Sequence, residues 1–319
     1  VHGIKPIVKK ELADHFSSYR FVIIFALIAM ISLIITYMVG INLRSELENV
    51  AKPRFVFLML FTQSGGIFSL VEFIAFFGPL VGLILGFDTI NRERNEGTLS
   101  KLLAQPIYRD VVVNGKFLAG LVIIAVMVVS IVLVITGLGL LLVGVIPGIE
   151  ELWRILVYII VSIVYMAFWL GVAILFSILF RSTATSALAA LAVWFFFSFF
   201  VSIGANVLAK DLESQISAGA DPQSIARQAK VFKAAVLISP MKLYSDATKT
   251  IIDPMQRSTK GALPGGPMEA ISMSRFAGPL PLSQSVLIVV PYLLALLSIT
   301  IVCFAVSYTI FMRQEIRSL

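Results

Sequence analysis

The residues with chemistry to offer are crowded into one stretch. Residues 88–116 read DTINRERNEGTLSKLLAQPIYRDVVVNGK, and Asp88, Arg92, Glu93, Arg94 and Glu96 fall within its first third. Acids and guanidiniums packed this closely form charge-assisted hydrogen bonds, with one another or with a partner surface. Gly97 interrupts the run, and the Thr98 hydroxyl is placed to cap a new helical turn. Leu99, Leu102 and Leu103 then share one face beside Ser100 and Lys101, until Pro106 ends the segment. The pattern predicts a short amphipathic helix whose apolar face is ringed by charge, the kind of surface that meets a protein partner. One further acid stands out. Glu72 is the lone charge inside an apolar run, about one and a half turns from its end, where ionisable groups are costly and often functional. It is read either as part of a substrate path or gate, or as a side chain reaching back to the nearby interface.

Residue types exclude other chemistries. The two histidines, His2 and His15, both lie in the first fifteen residues, and Cys303 is the one cysteine. No Cys/His metal site, disulfide framework or Ser/His/Asp set can be built from them. A phosphate-binding G-x-x-x-x-G-K-[ST] loop is missing too: Gly115-Lys116 is followed by Phe117, and Asp110 stands where the first glycine is required. No catalytic residue, cofactor or metal is therefore expected on this chain. Met255, Met268 and Met273 carry thioethers suited to Cu(I), but with no His or Cys beside them their spacing is read as chance.

The elements that must position these residues are set by composition. Of 319 residues, 59% are hydrophobic and 13% charged, with a mean hydropathy of +0.97, whereas soluble domains carry about 25% charged residues. This is an all-α polytopic membrane protein. Crossing the hydrocarbon core takes about 20 apolar residues, and six runs qualify: 21–41, 66–87, 117–146, 152–180, 184–205 and 285–312. The first is too long for the apolar region of a cleaved signal and is expected to stay as an anchor. The sequence opens at Val1 without an initiator Met, so residues ahead of it are expected.

The net charge of +7 reports topology rather than nucleic acid, for which no binding is expected. Twelve basic residues flank the spans on the side of the N-terminus, among them Lys5, Lys9, Lys10, Arg20, Arg92, Arg94, Arg109, Lys116 and Arg181. The short loops of the other side hold four: Arg44, Lys52, Arg54 and Arg154. The preferred topology is N-in and C-in. Residues 206–283 then form a long outer segment between spans five and six, partly helical. Two short amphipathic helices are expected around Ala209–Ile216 and Ile225–Val236, and a third over Pro240–Ile252, before a Pro/Gly-rich stretch. Ahead of the first span, Ile4, Val8, Leu12 and Phe16 at four-residue spacing predict an amphipathic helix in the inner interface, with Glu11 intruding on its apolar arc. In span two, Gly78, Gly82 and Gly86 allow close helix approach, read as packing within one subunit ahead of a subunit interface, and Pro79 permits a kink. The aromatic residues from Trp194 to Phe200 are too many for one face, so some meet lipid and others line an apolar path suited to hydrophobic or amphiphilic cargo.

The stretch 88–116 resembles the cytoplasmic loop of the ABC type-2 permease family, the membrane subunits of ATP-driven exporters. The matching residues are Asp88, Glu93-Arg94, Gly97-Thr98-Leu99, Leu102-Leu103, Pro106 and Arg109, followed by Gly115-Lys116. The N-terminal helix, the six spans and the terminal FMRQEIRSL extend the resemblance over nearly the whole chain, read as a single permease domain of residues 1–319. It implies a coupling helix docked on separate ATPase subunits that hold ATP and Mg. Glu93, Arg94 and Glu96 would make charged contacts, and Leu99, Leu102 and Leu103 would fill the docking groove. A second copy or a paralogue would complete the pathway in the lipid bilayer of the plasma membrane. The long outer segment departs from the short re-entrant hairpin common in that family. Two alternatives follow: an ATPase-driven lever acting on an outer partner through residues 206–283, and an ion-coupled secondary transporter, which needs more buried acids than Glu72.

Overall fold

A computed structural model describes residues 4–47, 55–64, 66, 68–99, 108–201, 203, 204, 207, 239–254 and 279–314. These residues form helices, and six are long and apolar enough to cross a membrane. In chain order the elements are α1 (Ile4–Phe16), α2 (Tyr19–Leu47), α3 (Val56–Thr62), α4 (Leu70–Gly86), α5 (Asn91–Asn95), α6 (Arg109–Val143), α7 (Ile149–Leu179) and α8 (Thr183–Phe195). A π-helical turn, Phe196–Phe200, prolongs α8, and α9 (Pro240–Ile252) and α10 (Leu282–Arg313) complete the fold. The spans are α2, α4 with α5, α6, α7, α8 with its π-helical turn, and α10.

The bundle is built around α4 and α7, each with 67% of its most apolar window buried; the same windows of α8 and α10 are 17% buried. Glycine brings the two central helices together. A Cβ on Gly82 would lie 2.6 Å from the Met166 carbonyl oxygen and 2.8 Å from the Leu170 nitrogen, and one on Gly86 would lie 2.6 Å from the Ala173 Cβ. The glycine stripe is thus an internal packing face. Pro79 lacks the N–H that would satisfy the Ala75 carbonyl four residues back, and the buried Tyr165 hydroxyl on α7 donates to that oxygen instead, at 2.7 Å.

Two boundaries differ from the sequence expectation for electrostatic reasons. The α4 helix starts at Leu70 because Ser69 caps it: the Ser69 hydroxyl accepts from the Glu72 N–H while the Glu72 carboxylate accepts from the Ser69 N–H. Glu72 therefore sits in the first turn, not one and a half turns deep. The α6 helix starts at Arg109 instead of 117, carrying Asp110 and Lys116 with it; Lys116 tolerates burial because it is paired.

The helix expected over Pro240–Ile252 is present as α9, with the Ser239 hydroxyl capping the Lys242 N–H and Pro240 in its first turn. It is not part of an outer cap. At 13 residues, about 20 Å, it is too short to span, yet Leu243, Tyr244, Ala247, Ile251 and Ile252 are fully buried. The Tyr244 ring stacks on Tyr165 at 4.3 Å, and its hydroxyl lies 2.8 Å from the Ser162 hydroxyl. These partners lie midway along α7, so α9 dips into the bundle and climbs back towards the start of α7. Arg154 anchors it there: the guanidinium, counted from sequence as an outer loop charge, is wholly buried. It donates to the Ile251 carbonyl at 2.6 Å, to the Ser285 hydroxyl at 3.3 Å, to Glu150 at 3.0 Å and to the Leu280 carbonyl. The expected helices between 206 and 238, and Met255, Met268 and Met273, lie outside the described residues.

The α1 helix lies across the start of α6. Ile7 packs on Val111 and Val112, and Gly115 leaves room, since a Cβ there would meet the Ile7 side chain at 2.8 Å. The docked side runs through Ile7 and Glu11, with Phe16 exposed, which turns the expected apolar line by about one residue.

Candidate functional site

The α1 end of the bundle gathers the residues singled out from sequence. Past Gly86 the chain turns through Phe87–Ile90 into α5, and its backbone is held from outside. The Ser177 hydroxyl of α7 accepts from the Ile90 and Asn91 N–H groups at 2.9 and 3.2 Å. The Ser186 hydroxyl of α8 donates to the Phe87 carbonyl at 2.8 Å. Gly97 takes a left-handed φ of +68°, open to glycine without strain; helix resumes at Thr98 and Leu99, and the Thr98 hydroxyl donates back to the Glu93 carbonyl at 3.2 Å.

A balanced set of charges lies beneath this turn. Lys116, with its side chain 2% exposed, donates to Glu11 at 2.8 Å and to Glu93 at 3.0 Å. Lys10 donates to Glu93 at 3.2 Å and sits 3.8 Å from Glu11. Two ammoniums and two carboxylates thus join α1, α5 and α6, each buried charge facing an opposite one. Burial works against the Lys10 charge, but Glu93 beside it, with Glu11 and Asp14, holds its pKa above the ordinary lysine value. His15 shows the reverse balance: burial, helped by Lys116, depresses its pKa against the pull of Glu11, Asp88 and Asp14.

The remaining charges tie the corner outward to other spans. Asp88 accepts from Arg20 of α2 at 2.9 Å. Arg94 donates to the Gln314 side chain at 2.6 Å and Arg109 to the Gln314 carbonyl at 3.1 Å, just beyond α10. Gln314 in turn donates to the Ile178 carbonyl of α7 at 3.0 Å. Arg92 and Glu96 pair at 2.9 Å on the exposed side. A cleft of about 880 Å³ opens between α1 and this corner, lined among others by Asp14, His15, Arg20, Asp88, Arg92 and Glu96.

The structure brings together Asp88, Glu93, Arg94, Glu96, Gly97, Thr98, Leu99 and Arg109. Within this corner Glu93 faces inward onto the lysines, and Leu99 is 1% exposed in the main core. Leu102, Leu103 and Pro106 lie outside the described residues. Glu72 is at the opposite end of the bundle, where Lys249 donates to it at 2.6 Å. The sequence reading missed Glu11, Lys10, Lys116 and Gln314 as members of the site. The signal was there for two of them: an acid breaking the arc of α1 and a lysine at the head of an apolar span are each costly alone, so they call for one another.

Among curated proteins, no match to the chain was found. A family model does match, described as ABC-2 family transporter protein and covering residues 5–316. With six spans, an N-terminal helix laid on them and a charged corner between the second and third, this multi-pass membrane protein belongs to the ABC-2 transporter family.

Proposed function

We propose that the chain is the permease subunit of an ATP-driven exporter, docked on separate ATPase subunits through the 88–109 corner and α1, and paired with a second copy or a paralogue. ATP and Mg belong to the ATPase subunits. One observation carries this reading: the corner that follows α4 is bonded to every other span. It reaches α2 through Asp88–Arg20, α6 through Glu93–Lys116, α7 through Ser177, α8 through Ser186, and the end of α10 through Arg94–Gln314. A displacement applied there is shared by the whole bundle instead of bending one loop. The positive-inside bias places this end in the cytoplasm, where an ATPase would be met.

In the proposed cycle, ATP binding draws the two ATPase subunits together and each carries its corner inward. The bundles then rotate as bodies and part towards the outside. Hydrolysis and product release restore the resting state. The exposed Arg92–Glu96 pair and the face of Leu102 and Leu103 would meet the ATPase, while Glu93, Glu11 and the lysines transmit the push.

The test is a mild-detergent pull-down of the tagged chain from its native membrane, with ATPase activity measured on wild type and on a Leu102→Asp, Leu103→Asp variant. An ATPase that co-purifies with wild type and is lost from a still-folded variant supports the docking assignment. Wild type arriving without a nucleotide-binding partner sinks it.

A further inference from the structure

A second cavity, of about 310 Å³, lies at the opposite end of the bundle between α4 and α9. Glu72 and Phe76 come to it one turn apart on α4, with Phe68 just ahead of that helix, and Met241, Lys242 and Lys249 face them from α9. At the rim, Glu72 and Lys249 neutralise each other in a partly exposed pair at 2.6 Å. Deeper in, the charge is not balanced. Lys242 stands seven residues before Lys249, about 10 Å further along α9, and no acceptor for its ammonium is seen among the described residues. Asp246, one turn on, is buried and does not line the cavity.

Depth makes this lysine unusual. Two residues on from it, Tyr244 meets α7 at Ser162 and Tyr165. Tyr165 lies twelve residues, about 18 Å, from the Ser177 contact with the corner and eleven residues, about 16 Å, from Arg154. An ammonium level with the middle of a spanning helix calls for water or an anion. The apolar surroundings extend in one direction: the Phe76 ring touches Trp194 of α8 at 5.2 Å and Phe199 of the π-helical turn at 5.5 Å. That span is peripheral, with 17% of its most apolar window buried, so the aromatic shelf runs from the cavity to the outside of the bundle.

We propose that this cavity binds an amphiphilic anion from the bilayer, with its carboxylate or phosphate head on Lys242 and its apolar chain along Phe76, Trp194 and Phe199. As the class of cargo, this assignment rests on the export reading above; as a binding site it does not, and it is tested without an ATPase. Purified protein in phosphatidylcholine nanodiscs is titrated with 11-(dansylamino)undecanoic acid and with its methyl ester. The acid binds saturably and the ester at least about tenfold more weakly, a comparison made on wild type alone. Lys242→Met weakens the acid by about tenfold or more and erases its advantage over the ester, while Lys242→Arg stays within about threefold of wild type. Phe76→Ala weakens acid and ester alike. Dodecyl phosphate displaces the probe and inorganic phosphate does not. Equal binding of acid and ester, or an unchanged Lys242→Met, overturns the proposal. Displacement by inorganic phosphate at the concentrations effective for dodecyl phosphate also overturns it, by making this a site for free anions.

Discussion

Replacing Lys116 by Met tests whether α1 is held by charge. The substitution keeps most of the buried stem and deletes the ammonium that donates to Glu11 at 2.8 Å and Glu93 at 3.0 Å. Removing one member of a buried pair costs about 3–5 kcal/mol, because the other is left uncompensated. Lys10 remains near both carboxylates but is half exposed, so the loss belongs at the lower end, about 3 kcal/mol. The main apolar contact of α1, Ile7 on Val111 and Val112, contributes about 1.5–3 kcal/mol. The charge loss is of the same size, so α1 should lift while the six spans hold. Hydrogen exchange in nanodiscs reads this directly: 3 kcal/mol raises exchange of the α1 amides by about 100-fold, with α7 unchanged. Adding Glu11→Gln restores the count to one ammonium and one carboxylate, so the double variant should exchange more slowly than Lys116→Met alone. The reasoning fails if Lys116→Met leaves α1 within about threefold of wild type, or if the double variant is the worse of the two.

Two further substitutions examine how α4 is seated. Tyr165→Phe strips the Ala75 carbonyl of the donor that replaces the missing Pro79 N–H, and should cost about 1–3 kcal/mol as a lower thermal midpoint, with the Tyr244 stack retained. An unchanged midpoint would show that this carbonyl finds another donor. Gly82→Ala drives a methyl against the Met166 carbonyl and the Leu170 nitrogen, neither of which can rotate away, and should cost about 1–3 kcal/mol. Gly137→Ala, whose Cβ meets nothing within 4 Å, is the matched control and should be neutral or mildly stabilising in the same melt.

The six spans were legible because a bilayer imposes one length on any helix that crosses it, and no side-chain detail is needed to count them. The corner was legible in part. Gly97, Thr98 and the charges around them announce a turn, but a run of alternating acids and bases does not say which member faces inward. Glu93 and Arg94 are neighbours in sequence and point to different partners, Lys116 on α6 and Gln314 beyond α10. Those partners lie 23 and 220 residues away, and only the folded arrangement decides between them. Arg154 misled for a related reason. A single guanidinium near a span end is ordinarily a loop charge, and its burial depends on carbonyls at Ile251 and Leu280 that no local pattern advertises. The α9 helix was read correctly as a helix and wrongly as a cap, since an amphipathic segment looks the same whether its apolar side covers a bundle or enters one.

The two sites are joined by a single helix. Glu72 and Asp88 bracket α4 sixteen residues apart, about 24 Å along its axis, one at the rim of the cavity and the other in the corner. Because Gly82 and Gly86 put the α4 backbone directly against α7, the pair cannot slide without backbone atoms colliding, and it moves as one body. Movement of the corner therefore carries the Phe76 wall of the cavity with it. The facing wall, α9, is held to α7 by Tyr244 and by Arg154, both buried. At the rim, what ties α4 to α9 is the Glu72–Lys249 pair, whose side chains are 40% and 28% exposed and which as a partly exposed ion pair is worth about 0–1 kcal/mol. The rim of the cavity thus carries a weak, partly exposed bond, while the α9 wall is anchored by buried ones. Because α4 and α9 are both fastened to α7, the two walls of the cavity move with one body, and loss of the rim pair alone leaves them in place.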